Sequence, residues 1–323
     1  MSVLITGGMG HVGYELIKQA LRAGEDVIAQ YHTTFRKKDA DALVGNVRWV
    51  HCNLSNPADV EAMSKDPNVT GCIHTAAVPN DMVARNNPGE AIMVNIGAVG
   101  SLLEAARLYK WTRFIYVSTG SVFQNITNFN APIIEDAIPF TTNTYSTTKL
   151  SGEVLTNLYR TQFNVSAASI RISWVYGPPL VPVLRQNPRG PIPLFLKYAL
   201  AGIPIKELRG GDFAASYTYV ADVAAGLFAA YKTDNLNNGI YHLGSGANYS
   251  THDVAAAVKE AVPGSIISIG AGTEPWTDDT RMRGPLAGDN LFKDTGFKPH
   301  YSLSEGVKDF ANWMRLNPET FKV

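Results

Sequence analysis

Cysteine is scarce in this 323-residue chain: Cys52 and Cys72 are the only two. Each stands in a strand-like apolar run, "RWVHCNL" and "GCIHTAA". Both therefore read as buried free thiols in a reducing compartment rather than as part of a disulfide framework. Charge is scarce as well. Only 17% of residues are Asp, Glu, Lys or Arg, and 28 cations balance 28 anions. Without an excess of positive charge, nothing holds a nucleic-acid backbone or an anionic membrane surface. No uninterrupted apolar run of about eighteen residues is present, which argues against a membrane-spanning helix. The opening "SVLITG" enters a strand pattern with no signal-type segment. Low-complexity segments and internal repeats are absent too, and with 45% hydrophobic residues the chain has the composition of a folded globular protein. A cytoplasmic protein with a small-molecule partner, and with neither nucleic acid, membrane nor metal, is the expectation.

Short β-branched runs alternate with helical stretches through the first half. "SVLITG", "DVIAQY", "VRWVHC", "GCIHTAA" and "RFIYVST" read as strands. Between them, Val12, Leu16, Ile17, Ala20 and Leu21 recur at helical spacing from His11 to about Ala23, and a long helix is expected from Glu90 to Tyr109. Parallel strands need crossovers, so this alternation predicts an α/β fold: a doubly wound parallel sheet of Rossmann type. A helix from Tyr145 to about Phe163 precedes a further strand, "SAASIRISWVYG". Prolines then recur from Pro178 to Pro193, where regular structure should lapse into a loop. The expected division is a dinucleotide-binding domain over 1–177 and a smaller C-terminal substrate-binding region over 178–323. Segments around 213–245 return to the first domain.

Glycine is spent where it carries chemistry. Gly7, Gly10 and Gly13 follow the first strand directly and lead into a helix. Such a turn lets backbone approach a pyrophosphate, and the helix N-terminus offers its free N–H groups to the anion. Tyr145 and Lys149, in "YSTTK", are four residues apart and share a helix face one turn apart. A phenol is a poor base near pH 7, but a neighbouring ammonium stabilises the phenolate. The pair can then move a proton to or from a hydroxyl while a nicotinamide carries hydride.

"TGGMGHVG" resembles the T-G-x-x-G-x-x-G of the extended short-chain dehydrogenases/reductases, the NAD(P)-dependent epimerase/dehydratase family. "YVSTGSVF", "CIHTAA", "VNIGAVGSLLEAA", "RISWVYGP", "YTYVADVAAG" and "SLSEGVKDFANWM" resemble further family segments, in order, over nearly the entire chain. The resemblance implies a catalytic set of Thr119, Tyr145 and Lys149, with Ser118, Ser121 and Trp174 on the substrate. For the cofactor it implies Gly7, Gly10, His11, Val12, Gly13, Tyr31, His32, Arg36, Asn53, Leu54, Thr75, Ala76, Ala77 and Asn95, together with Tyr145 and Lys149. Where NAD-using members end the second strand in an acidic residue, Tyr31 stands here, followed by His32, Arg36, Lys37 and Lys38. That tilts the cofactor expectation from NAD toward NADP.

The substrate side departs from the family pattern. Trp174 replaces an asparagine, and Ala215 stands where nucleotide-sugar enzymes carry a diphosphate-binding arginine. Loss of such a charge-assisted contact removes on the order of 1.5–3 kcal/mol. Arg185, Arg189, Arg281 and Arg283 remain as alternative sources of charge. Gly120 and Ser121 replace the Asp-Glu pair of the dehydratases, so elimination of water is not expected. The leading reading is an NAD(P)-dependent dehydrogenase or reductase acting on a carbinol or carbonyl of a sugar, sugar acid or small polyol. A (nucleotide-)sugar epimerase with retained NAD is the alternative, and a non-catalytic NADP-binding regulator a lesser one. The family also implies a homodimer through the helices that begin at Glu90 and Tyr145.

Overall fold

A computed structural model describes residues 1–126, 128–179, 190–276 and 280–321. Six strands of the first half, β1 (Ser2–Thr6), β2 (Asp26–Tyr31), β3 (Val47–His51), β4 (Val69–His74), β5 (Arg113–Thr119) and β6 (Ala167–Ile172), form one parallel sheet. The strand Ile240–Leu243 joins its edge beside β6, giving the order (240–243)-β6-β5-β4-β1-β2-β3. The chain leaves β1 first toward β2 and β3, then crosses back to β4. The carboxyl ends of β1 and β4 thus flank a crevice at the point where the winding reverses, the place where open α/β sheets bind ligands. Val3, Ile5, Ile73, Ile115 and Ile170 are fully buried on one face of the sheet, and Leu4, Cys72 and Phe114 on the other. Helices cover both faces, so the strands read as near-continuous apolar runs.

α1 (His11–Arg22) buries Leu16, Ile17 and Ala20 against the sheet. The expected 90–109 helix is continuous from Pro88 to Leu108, with a wider π-turn over Met93–Gly97. By length and composition alone this helix could cross a membrane, but Ala98, Val99, Leu102 and Leu103 are buried in the core beneath the sheet. Cys52 and Cys72 are free and buried.

Two sequence expectations are corrected. "SAASIRISWVYG" is not one strand: β6 stops at Ile172, and Trp174–Tyr176 pairs instead with Tyr217–Tyr219. The break falls at Ser173, whose N–H still bonds Leu243 while that of Trp174 turns to Ser216. The proline-rich stretch also ends earlier than expected, since Pro191–Leu200 is a helix. Pro191 and Pro193 lie in its first turn, where a missing N–H costs no intrahelical bond. The rest of that stretch, 180–189, lies outside the described residues.

Three helices, Pro191–Leu200, Thr251–Ala261 and Leu303–Leu316, share a second core around Phe195, Val258 and Phe310. Ser250 with Asp253 and Ser302 with Glu305 form reciprocal capping boxes that set where two of them begin. Between them the chain returns to the sheet. Val220–Lys232 buries Val223, Ala224 and Leu227 against the first core.

Candidate active site

One cavity of about 850 Å³ runs from the glycine turn across the carboxyl ends of β1, β4 and β5 to the second core. At the turn, Gly7 has φ +67°, and a side chain there would meet the backbone of Ala76. A Cβ on Gly10 would sit 2.9 Å, and one on Gly13 2.2 Å, from the carbonyl oxygen of Gly7. No side chain caps the first turn of α1 at Gly10, which leaves that N-terminus with its positive partial charge for an anion. The turn is held from below by Gln30, which the sequence reading did not single out. Its Oε1 accepts from the Gly7 N–H at 2.8 Å and its Nε2 donates to the Cys52 carbonyl at 2.7 Å. This cradle fits a dinucleotide pyrophosphate.

His11, Val12, His32, Arg36, Asn53, Leu54, Thr75, Ala76 and Ala77 line the same cavity, and Thr33 joins them. His11 Nε2 donates to the carbonyl of Gly177 at 2.9 Å, which ties the turn to the chain entering the proline stretch. The Asn53 side-chain oxygen accepts from the N–H (3.1 Å) and hydroxyl (2.8 Å) of Ser55, shaping the bend after β3. Thr75 donates to the Thr6 carbonyl at 2.7 Å, locking the ends of β1 and β4 together.

Two expected cofactor residues do not line the cavity. Tyr31 packs its ring against Phe35, Trp49 and His51 at the sheet edge, because the side chains of β2 alternate faces and Gln30 takes the inward one. Asn95 is fully buried and binds protein instead. Its Oδ1 accepts from the Val78 N–H at 2.8 Å, and its Nδ2 donates to Thr148 Oγ1 at 3.0 Å. It joins the loop after β4 to the helix that carries Tyr145.

That helix, Thr144–Phe163, starts at Asn143, whose side chain accepts from the Ser146 N–H at 2.9 Å. A second side-chain-to-amide contact, Tyr145 N–H to the Asp81 carboxylate at 3.1 Å, fixes the first turn against the 81–86 helix. The Tyr145 ring packs beside Val78, Ala84, Ala91 and Val94. One turn on, Lys149 is 3% exposed. Its Nζ lies 4.2 Å from the centroid of the Tyr116 ring, and the Tyr116 hydroxyl donates to the Lys149 carbonyl at 3.2 Å. Burial pulls the Lys149 ammonium down to about 7, and the charge of Glu153 opposes that fall. His74 stacks on Tyr116 at 5.9 Å.

Thr119 ends β5 facing the cavity, and its Oγ1 accepts from the Ser121 N–H at 3.1 Å. Ser121 and Trp174 line the cavity as expected. Ser118 also lines the cavity, but it is 2% exposed and its hydroxyl donates to Glu153 at 2.5 Å. Glu153 in turn receives a bidentate ion pair from buried Arg171, at 3.0 and 2.8 Å, and Arg171 contacts His242 at 3.3 Å. The sequence reading missed this network, although Glu153 follows Lys149 at a helical i, i+4 spacing. At the far wall, Ala215, Trp276, Arg281 and Arg283 line the cavity, while Arg185 and Arg189 lie outside the described residues. Among the described residues, no group of three His, Cys, Asp or Glu could hold a metal ion.

A phenol and a buried ammonium one helical turn apart, lining the same cavity as a strand-tip hydroxyl and a dinucleotide cradle, are suited to moving a proton in concert with a hydride. Comparison with known proteins agrees. The model of the NAD dependent epimerase/dehydratase family matches residues 3–244. A putative UDP-glucose 4-epimerase of Methanocaldococcus jannaschii is 26% identical over 98% of this chain and 100% of its own. A UDP-glucose 4-epimerase of Mycolicibacterium smegmatis is also 26% identical, over 98% of this chain and 99% of its own. Among solved structures, the UDP-glucose 4-epimerase of Thermus thermophilus, in complex with NAD, superposes with a TM-score of 0.82 at 24% identity, covering 98% of this chain and 99% of its own. The dTDP-glucose 4,6-dehydratase of Bacillus anthracis, also with NAD, gives 0.82 at 19% identity over 99% and 98%. Motifs, sheet order, cavity and family match converge, and the chain belongs to the NAD dependent epimerase/dehydratase family, as an enzyme of the extended short-chain dehydrogenase/reductase type.

Proposed function

We propose that this enzyme oxidises a carbinol, or reduces the corresponding carbonyl, of a sugar, sugar acid or small polyol and releases its dinucleotide after each turnover. One observation carries the reading: Tyr145, Lys149 and Thr119 all border the cavity that holds the glycine turn. The bound nicotinamide supplies the hydride acceptor or donor. Thr119 Oγ1 donates a hydrogen bond to the reacting oxygen and orients it. Tyr145 takes or gives the proton at its phenolic oxygen. Lys149, held between the Tyr116 ring and its own backbone carbonyl's bond to Tyr116, keeps positive charge beside the phenolate. Trp174 supplies an apolar wall. Tyr145→Phe removes the proton carrier and should lower turnover by a factor of about 10²–10⁴, with dinucleotide binding retained. Turnover within about threefold of the parent, on a substrate found by screening, contradicts the assignment.

NADP is the preferred dinucleotide in this reading. The stretch after β2 offers His32, Thr33 and Arg36 to the cavity, and one terminal guanidinium nitrogen of Arg36, Nη2, is buried without a hydrogen-bond partner. A ribose 2′-phosphate in the cavity would pair with this guanidinium, and Asp39, bonded to Arg36 Nε, holds the side chain in place. The names of the relatives favour a second reading, a sugar epimerase that retains NAD and returns the hydride to the opposite face. Ala215 at the far wall, with no charge for a diphosphate, weighs against a nucleotide-sugar version of it. A homodimer belongs to the same proposal: Ile92, Met93, Val154 and Leu158 are exposed on the helices Pro88–Leu108 and Thr144–Phe163. Sedimentation at micromolar concentration tests it, and a monomer there refutes it.

A further inference from the structure

Arg283 lines the substrate end of the cavity and is held from both sides. Its backbone carbonyl accepts from Asn248 Nδ2 at 2.7 Å, and its Nη1 donates to the carbonyl of Gly120 at 2.5 Å. Gly284 beside it packs so closely on the Ala131 carbonyl that no side chain fits there. Among the described residues no carboxylate is within ion-pair distance of this guanidinium, and the oxygen that Nη1 meets belongs to a neutral carbonyl. Burial, with no opposing acid, pulls its pKa down to about 10. The side chain is partly exposed to the cavity, so an anion bound there can pair with it directly. Asp81, Arg85, Glu90, Lys149 and Arg281 are among the other charged groups that border the cavity.

The position of this cation is informative. Gly120 directly follows Thr119, and successive Cα atoms are about 3.8 Å apart. The guanidinium is thus bonded to the backbone of the residue next to Thr119, and both side chains line the same cavity. In a nucleotide sugar, the diphosphate is separated from a reacting ring carbon by the ring itself. Resting on the proposed roles of Thr119 and Tyr145, we infer that Arg283 anchors an oxyanion, a carboxylate or phosphate monoester, borne on a carbon near the reacting carbinol. The substrate class is then an acidic sugar or hydroxy acid, and Arg283 decides it.

Binding tests this without turnover. The full-length protein, saturated with whichever dinucleotide raises its melting temperature most, is titrated calorimetrically with paired probes: D-glucuronate against D-glucose, D-gluconate against D-glucitol, and D-glucose 6-phosphate and UDP-glucose. At least one acid should bind about tenfold or more tighter than its neutral counterpart. Arg283→Gln should erase that ratio, and Arg283→Lys should keep part of it, with dinucleotide affinity unchanged in both. Preference for the carboxylates or for the phosphate ester identifies which oxyanion is meant. Equal behaviour of acids and neutral partners, whether all bind or none, overturns the inference. So does a preference that survives Arg283→Gln, or UDP-glucose as the tightest probe with an affinity that Arg283→Gln leaves intact. An acid that binds through Arg283 but is turned over equally by the parent and Tyr145→Phe sinks the proposed chemistry and leaves the anchor standing.

Discussion

His74 and His242 are both fully buried, and each is held neutral by its surroundings. Burial and the nearby Lys149 charge pull His74 from 6.5 down to about 3. Its Nδ1 is hydrogen-bonded to Thr6 at 2.7 Å and its Nε2 has no partner to receive a second proton's hydrogen bond. Burial and the Arg171 guanidinium likewise take His242 to about 3. Its Nδ1 donates to the Ile133 carbonyl at 3.0 Å, so Nε2 is the basic atom, and Arg171 faces it. A folded pKa depressed below the unfolded one means that the unfolded chain binds more protons. The stabilising contribution is complete above about 6.5 and is lost as pH falls from there toward 3. Between pH 7.5 and 5.5 each histidine should remove about 1.4 kcal/mol of unfolding free energy, nearly 3 kcal/mol for the pair. That figure depends little on the folded values, since both lie far below 5.5. Urea unfolding at the two pH values measures it. Because Glu135 and Asp222, whose carboxyls burial pushes up, act in the opposite sense, the parent is compared with His74→Asn/His242→Asn. The double variant should be less stable at pH 7.5 yet lose nearly 3 kcal/mol less on acidification. An equal loss in parent and variant would mean that His74 and His242 do not carry the pH dependence.

Removing one partner of the Glu153–Arg171 pair leaves the other charge buried alone. Glu153→Gln and Arg171→Met should each cost about 3–5 kcal/mol in urea unfolding, and Glu153→Leu/Arg171→Met should recover most of it; additive single effects contradict the pairing. Gly13→Ala drives a methyl to 2.2 Å from the Gly7 oxygen, so the melting-temperature rise on adding dinucleotide should vanish. Gly100→Ala, in a helix with open space around the new methyl, should add about 0.5–1 kcal/mol of stability, as read by urea midpoint.

Local chemistry made the sheet and the cradle legible in the sequence. The strands are continuous apolar runs because both faces are covered, and the three glycines are demanded by one carbonyl, that of Gly7, and by the Ala76 backbone beside it. The cavity gathers most of the expected residues for the same reason: a turn, a strand tip and a helix start are each set by near neighbours in sequence. What stayed hidden depends on contacts between distant segments. Asn95 stands in a motif where the family has a structural asparagine, but its partners, the Val78 backbone and Thr148, come from segments that only the fold brings together. The hydroxyl of Ser118 points at a carboxylate 35 residues away. Gln30 rather than Tyr31 faces the cavity, through a one-residue alternation along β2 that an apolar strand does not advertise. Ser173 ends a strand that looks uninterrupted because a neighbouring segment, not its own residue type, redirects the next amide. Pro191 and Pro193 are read as breakers until a helix is seen to begin on them.

Thermal unfolding of the purified protein, first checked for carried-over nucleotide, with NAD, NADH, NADP and NADPH added separately, separates a dinucleotide that exchanges from one that is retained. A native-state ligand raises the midpoint with the logarithm of its concentration over its dissociation constant. A freely exchanging NADP-dependent enzyme should purify free of nucleotide and show the larger shifts with NADP and NADPH. NAD held tightly through purification, with no further shift from any of the four, contradicts a freely exchanging dehydrogenase or reductase and assigns the site to internal hydride return.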